Sequence, residues 1–93
     1  MDDVRAAVKA SLARLQEVAP GRAVEVRIPP YAAVQAVPGP VHRRGTPGAV
    51  VETDADTWLA LVAGRVAWAD AVADGRVRAS GERSDLSPFL PLD

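Results

Sequence analysis

The stretch from Thr53 to Gly81, TDADTWLALVAGRVAWADAVADGRVRASG, decides the fold of this 93-residue chain. Its apolar residues recur at three- and four-residue spacing in two runs, and Gly64 and Gly75 follow these runs. That spacing is typical of amphipathic helices, and a glycine after the last turn can adopt the left-handed conformation that ends a helix. The stretch therefore predicts two short helices hinged at Gly64 and a strand that stops at Gly81.

The starts of these two helices differ. The first is predicted to begin after Asp54, whose carboxylate can cap the opening turn, and Asp56 complements the helix dipole. The second is expected over Trp68 to Asp74. Ala67 precedes it, so no capping side chain is evident.

Upstream of this stretch, residues 2–18 carry one apolar stripe, which predicts an amphipathic helix that packs on a sheet. The segment Arg22 to Ile28 alternates between apolar and polar residues, as in a strand with one solvated face. The segment Tyr31 to Val37 is apolar at nearly every position, which favours a strand that is central or covered on both faces. A third strand is expected over Ala49 to Thr53.

Together these elements predict an α+β fold in a single domain, residues 1–93. We expect a mostly antiparallel sheet of four or five strands, with the N-terminal helix and the two glycine-hinged helices packed on one face. A chain of this length supports one core and not two.

Composition excludes several classes of function. The chain has no cysteine and one histidine, so disulfides, thiolate metal sites and histidine-rich metal sites are excluded. A net charge of -1 argues against a dedicated nucleic-acid binder. We expect no cofactor. We also expect no transmembrane segment and a cytoplasmic location, because no apolar run is long enough to cross a bilayer and no leader is recognisable.

The order of these parts resembles the sterol carrier protein type 2 (SCP2) superfamily, and most closely its short bacterial branch. The resemblance rests on "LALVAG", "RVAWADAVADG" and "RVRASG", on the glycine spacing, and on the upstream segment GRAVEVRIPPYAAVQAVPGPVHRRGTPGAVVET. It covers about residues 22–90. It implies an SCP2-like fold that binds or carries a hydrophobic, lipid-like ligand without catalysis.

The resemblance also implies an apolar cavity between the helices and the sheet. The alternative for each apolar residue there is a place in the core, which is the commoner role for residues at helical spacing. The candidate lining residues are Trp58, Leu61, Val62, Trp68, Ala71, Val72, Val77, Leu86, Phe89 and Leu90.

The segment containing His42, Arg43 and Arg44 is the one concentration of cationic groups beside a turn. Paired arginine donors can bind a phosphate or carboxylate, and histidine titrates near neutral pH. The alternative is a solvated turn. No nucleophile elbow, phosphate loop or dinucleotide motif is present, so we expect no enzyme activity.

Two other functions remain open at this point. The domain would be an interaction module with the SCP2 fold and a closed cavity, whose partner protein is unknown, or an accessory domain that serves an enzyme. A continuous apolar cavity would favour the carrier, whereas a filled core with an exposed apolar patch would favour the module.

Overall fold

The computed structural model describes residues 3–39 and 48–92. The chain order of its elements is that of an α+β domain, as expected from the sequence. The elements are α1 (Asp3–Val18), β1 (Val24–Ile28), β2 (Ala32–Ala36), β3 (Ala49–Thr53), α2 (Ala55–Ala63), α3 (Trp68–Ala73), β4 (Val77–Gly81) and a final 3₁₀ turn (Ser87–Phe89).

The four strands form one sheet in the order β2-β1-β3-β4. The β1/β2 and β3/β4 pairs are antiparallel, but the central β1/β3 pair is parallel. The sheet is therefore mixed. The register explains why the β1/β3 pair is parallel. Val24, the first residue of β1, pairs on one side with Ala36, which ends β2, and on the other side with Ala49, which begins β3. The chain thus returns to the same end of β1 and enters β3 in the direction of β1.

The prediction that the second strand is central or covered on both faces was wrong for the sheet formed by residues 3–39 and 48–92. There β2 lies at an edge, and its inward positions Ala32, Val34 and Ala36 alternate with Ala33 and Gln35, which are exposed. An apolar run suggested burial on both faces, but alanine exposes so little apolar surface that it is tolerated on a solvated face.

The core lies between the helices and the inner face of the sheet. On α1, the inner stripe is Val8, Leu12 and Leu15, all fully or almost fully buried. Val4 and Val18, near the two ends of α1, are 37% and 44% exposed. The helix therefore contributes its middle turns to the core and leaves its ends in solvent.

Trp58 joins α2 to α1 inside this core. Its side chain is 0% exposed, and its indole Nε1 donates a 2.7 Å hydrogen bond to Ser11 Oγ. The Ser11 hydroxyl donates in turn to the Val8 carbonyl oxygen at 2.8 Å. The one polar atom of the indole is thus satisfied, which removes the desolvation cost of burying it.

The predicted helix ends are confirmed. Asp54 caps α2 by accepting a 2.7 Å hydrogen bond from the Thr57 amide. Gly64 and Gly75 follow α2 and α3 with φ of 78° and 84°, a conformation that glycine adopts without steric cost. After Gly64, the Arg65 amide donates to the Ala60 carbonyl at 2.9 Å, which satisfies one of the last carbonyls of α2.

None of the helices within residues 3–39 and 48–92 has the length and apolar character needed to cross a bilayer.

Candidate functional site: an apolar cleft

A cleft of about 260 Å³ lies between the α2–α3 turn and the C-terminal segment. None of its lining residues carries a charge, and the Ser87 hydroxyl and the Trp68 indole N–H are the polar side-chain groups among them. We call it the apolar cleft. It is lined by Leu61, Gly64, Val66, Ala67, Trp68, Ser87, Leu90 and Pro91.

Its first wall is set by the end of α2. The left-handed residue Gly64 turns the chain sharply, so that the start of α3 comes to lie beside Leu61, which is 1% exposed. Trp68 begins α3 and is half-buried against the core. This wall therefore consists of a buried side chain, Leu61, and a partly accessible aromatic side chain, Trp68.

The second wall is the C-terminal segment, which backbone hydrogen bonds hold in place. The Leu92 amide donates to the Val62 carbonyl of α2 at 3.0 Å. The Phe89 amide donates to the Leu86 carbonyl at 2.9 Å, and the Leu86 side chain is 0% exposed. This segment is thus held by a side chain buried in the core at one end and by a hydrogen bond to α2 at the other.

Asp85 stabilises the 3₁₀ turn at the rim of the cleft. Its Oδ1 accepts a 2.9 Å hydrogen bond from the Ser87 amide. Hydrogen bonds from Ser87 hold the pKa of the Asp85 carboxyl below its usual value, because they favour the ionised form. The charge of Asp85 is therefore coupled to the conformation of the turn that carries Ser87.

The structure brings three of the ten candidate lining residues together at the cleft, namely Leu61, Trp68 and Leu90. Four others belong to the core, and two more are partly buried against it without lining the cleft. Trp58, Ala71, Val77 and Leu86 are the four core residues, and Val62 and Phe89 are the two partly buried ones.

Val72 has a different position from the rest. It is 39% exposed, because α3 is a six-residue helix that buries Ala71 and turns the neighbouring position towards solvent. Val72 therefore lines neither the core nor the apolar cleft.

Sequence reasoning missed five residues of the cleft: Gly64, Val66, Ala67, Ser87 and Pro91. These residues lie in turns and helix ends, where apolar periodicity carries no signal. Gly64 and Pro91 are residue types that mark turns, and this was the signal in the sequence that could have pointed to these parts of the cleft. The predicted anion contact at His42, Arg43 and Arg44 lies outside the described residues.

A second groove of about 330 Å³ runs beside β2 and includes Arg27, Pro29 and Tyr31. It is more open than the apolar cleft. Its cation is already paired, since Arg27 Nε lies 3.0 Å from Glu25 Oε2, and this hydrogen bond raises the pKa of Arg27. We regard the apolar cleft as the better site, because a more enclosed apolar surface gains more by covering an apolar ligand.

A metal centre has no support in residues 3–39 and 48–92, where no group of three or more His, Cys, Asp or Glu side chains could hold a metal ion. The cleft itself offers no anionic side chain. Its chemistry is therefore that of contact with apolar groups.

The sequence profile of the family described as bacterial SCP ortholog matches residues 1–92 of this chain. The chain belongs to this family. The chain also shares its fold with the crystal structure of Sterol Carrier Protein 2 Like 2 from Aedes aegypti, with a TM-score of 0.54. The two are 14% identical over 87% of this chain and 91% of the mosquito protein, so this likeness concerns the fold alone. No curated protein matches the sequence.

Proposed function

We propose that this domain binds the apolar part of a lipid-like ligand in the apolar cleft and catalyses no reaction on it. The observation that carries the proposal is the cleft's lining, which is uncharged and joins Leu61, Trp68 and Leu90 from three parts of the chain. Membership of the bacterial SCP ortholog family supports the same class of ligand.

The volume of the cleft restricts what enters it. Ligand pockets for small molecules typically enclose about 300–1,000 Å³, and this one encloses about 260 Å³. One end of an acyl chain would therefore occupy the cleft, and the remainder of the ligand would lie on the surface. A bulky fused-ring ligand such as a sterol fits less well than a linear chain.

The absence of catalysis in this proposal rests on the residues around the cleft. Ser87 is the single hydroxyl among the lining residues, and its amide is bonded to Asp85. A serine nucleophile needs an adjacent base to activate it. Asp85 is held in its ionised form as a turn cap, so its carboxylate already has a structural role.

A second candidate is an interaction module, and the filled interior favours it. Within the described part of the chain, the space between helices and sheet is occupied by fully buried side chains that include Trp58, Leu61 and Leu86. A domain whose interior holds no ligand would use its surface to contact another protein.

A fluorescent fatty-acyl probe distinguishes the two functions. For a carrier we expect saturable binding with a low-micromolar dissociation constant, about -8 kcal/mol. Binding of the probe should also change the tryptophan emission of the protein. Trp68 lines the cleft whereas Trp58 is fully buried, so this change should disappear in Trp68→Phe. Failure to bind acyl chains, sterols and acyl-CoA esters would favour the interaction module.

A pair of variants localises the binding. Ala67 lines the cleft and is exposed in an extended conformation (φ -79°, ψ 142°), so Ala67→Phe can fill the cleft without disturbing the core. Ala69→Phe makes the same change at an exposed position of α3 outside the cleft. We expect at least about a tenfold loss of probe binding in the first variant, or about 1.4 kcal/mol, and little change in the second. Equal affinities would place the ligand elsewhere.

Ala71 is not suitable for this test, although it lies on the inward side of α3. Its side chain is 0% exposed, and a larger residue in a filled core costs stability by overpacking. A loss of binding in Ala71→Phe would therefore report on folding and not on the cleft.

A further inference from the structure

The two edges of the sheet differ in how they are covered. At β2, the Gln16 side-chain amide of α1 donates a 3.0 Å hydrogen bond to the Gln35 carbonyl. At β4, the pairing partner within residues 3–39 and 48–92 is β3 alone, and no side chain in these ranges bonds to the backbone of residues 78–80. An edge strand with free backbone groups can pair with another strand.

The inward face of β4 is also incompletely covered. Ala79 lies opposite Val51 in the β3/β4 register, and both point to the inner face of the sheet. Val51 is 0% exposed, but Ala79 is exposed. The helical layer therefore ends before it reaches this edge, and a further strand could be added there without displacing a helix.

The residues in and beside β4 have an asymmetric charge pattern. Arg76 precedes the strand, Arg78 and Ser80 lie on its outward face, and Glu82 follows Gly81, the left-handed residue that ends it. If β4 pairs antiparallel with β4 of a second copy, centred on Ala79, each Arg78 faces Ser80 of the other copy, and the Arg76 before one strand comes to lie beside the Glu82 after the other. No like charges then lie directly opposite each other, and opposite charges across strands are stabilising.

Other registers are less favourable. A pairing centred on Arg78 would place the two Arg78 side chains directly opposite each other, which is destabilising. A pairing centred on Ser80 would overlap three residues of the strand (residues 79–81) in place of all five. The charge pattern thus disfavours the first of these registers, and the strand length disfavours the second.

Arg76 can take part in this contact while keeping its own ion pair. Its Nε and Nη2 atoms each lie 2.8 Å from Asp74 Oδ2. A guanidinium has five N–H donors in a planar fork, so donors remain for a second carboxylate. The Asp74 contact also restricts the side chain before any association takes place.

We propose that two copies of this chain associate through β4. The two β4 strands pair antiparallel about Ala79, and the two four-stranded sheets become one continuous sheet. Reciprocal pairs between Arg76 and Glu82 set the register. The contact is separate from the apolar cleft and does not depend on the proposed ligand.

The test is the molar mass of the full chain, measured by light scattering over a concentration series. We expect a dimer whose dissociation constant rises about tenfold or more in Glu82→Arg, because this substitution converts both reciprocal pairs into repulsive contacts. Arg76→Glu should have a similar effect. The double variant Arg76→Glu/Glu82→Arg should recover part of the dimer affinity lost in Glu82→Arg, since it exchanges the two charges but places a carboxylate at position 76 beside Asp74.

Glu17→Arg on the exposed surface of α1 is the matched control. It changes the net charge by the same amount as Glu82→Arg and lies outside β4, so the dimer should persist. Circular dichroism of each variant checks that the fold is retained. A chain that stays monomeric at all concentrations would refute the proposal, as would a dimer unaffected by both single charge reversals or a double variant that recovers none of the lost affinity.

Discussion

Replacing Trp58 with alanine tests the packing of the whole domain. The indole is 0% exposed and hydrogen-bonded to α1, so the substitution removes buried aromatic area and leaves a cavity between α1, α2 and the sheet. Such substitutions cost about 3–5 kcal/mol, and a small domain has only about 5–15 kcal/mol of stability in total. We therefore expect Trp58→Ala to lose a large part of the free energy of unfolding.

Urea denaturation followed by circular dichroism measures this loss. With a slope of about 1–3 kcal/mol per molar urea, as is typical of small proteins, the midpoint should fall by more than about 1 M. Trp68→Ala is the matched control, since its half-buried side chain should cost less. A loss below about 1 kcal/mol for Trp58→Ala would mean that Trp58 is not in the core and that the packing described here is incorrect.

The hydrogen bond can be separated from the packing by a double-mutant cycle. Trp58→Phe keeps an aromatic ring and removes the N–H donor, whereas Ser11→Ala leaves that donor buried without its acceptor, at a cost of about 1–3 kcal/mol. The two changes together should cost less than the sum of the single changes, by about 0.5–1.5 kcal/mol. Strict additivity would show that the 2.7 Å contact does not stabilise the fold.

Two further predictions concern local structure. Gly64→Ala should destabilise the domain by about 1 kcal/mol, because φ is 78° and the added Cβ would meet Pro91 only at an ordinary 3.5 Å, while Gly64→Asn should cost less since asparagine tolerates this conformation. The same order is expected at Gly75, where φ is 84° and the added Cβ would meet no residue of the described ranges, apart from its chain neighbours, within 4 Å. Chemical denaturation of the four variants would contradict the reasoning if alanine were neutral at both positions. The pKa of Asp85 lies below its unfolded value of about 3.9, so its stabilising contribution is present above that pH and is lost as the pH falls through the lower folded pKa. A carboxyl titration by NMR should show the lowered pKa, and Ser87→Pro, which removes the donating amide, should return it towards the usual value.

Local features of the sequence were predictable because they depend on neighbouring residues alone. The cap at Asp54 and the left-handed turns at Gly64 and Gly75 follow from the chemistry of single residues. The strand Ala49–Thr53 was predicted with its exact bounds. The resemblance to the SCP2 superfamily rested on motifs between Thr53 and Gly81 and on the segment upstream of them, and the match to the bacterial SCP ortholog family confirms it.

The arrangement of the strands could not be read in the same way. The amino-acid pattern of β2 is apolar at every position except Gln35, yet its place at the edge of the described sheet is set by pairing with β1 and by the return of the chain to the same end of β1. Pairing direction depends on contacts between residues far apart in sequence. The parallel β1/β3 pair therefore followed only from the tertiary structure.

The sequence by itself determined the family, the helix ends and the inward stripe of most elements, because periodicity and turn chemistry act over a few residues. Only the tertiary structure decided which apolar residues fill the core and which line a surface. Trp58 and Trp68 have the same chemistry and similar helical surroundings, but one is enclosed by α1 and the sheet while the other borders the apolar cleft. Burial depends on what packs against a residue from distant parts of the chain, and that information is absent from any local pattern.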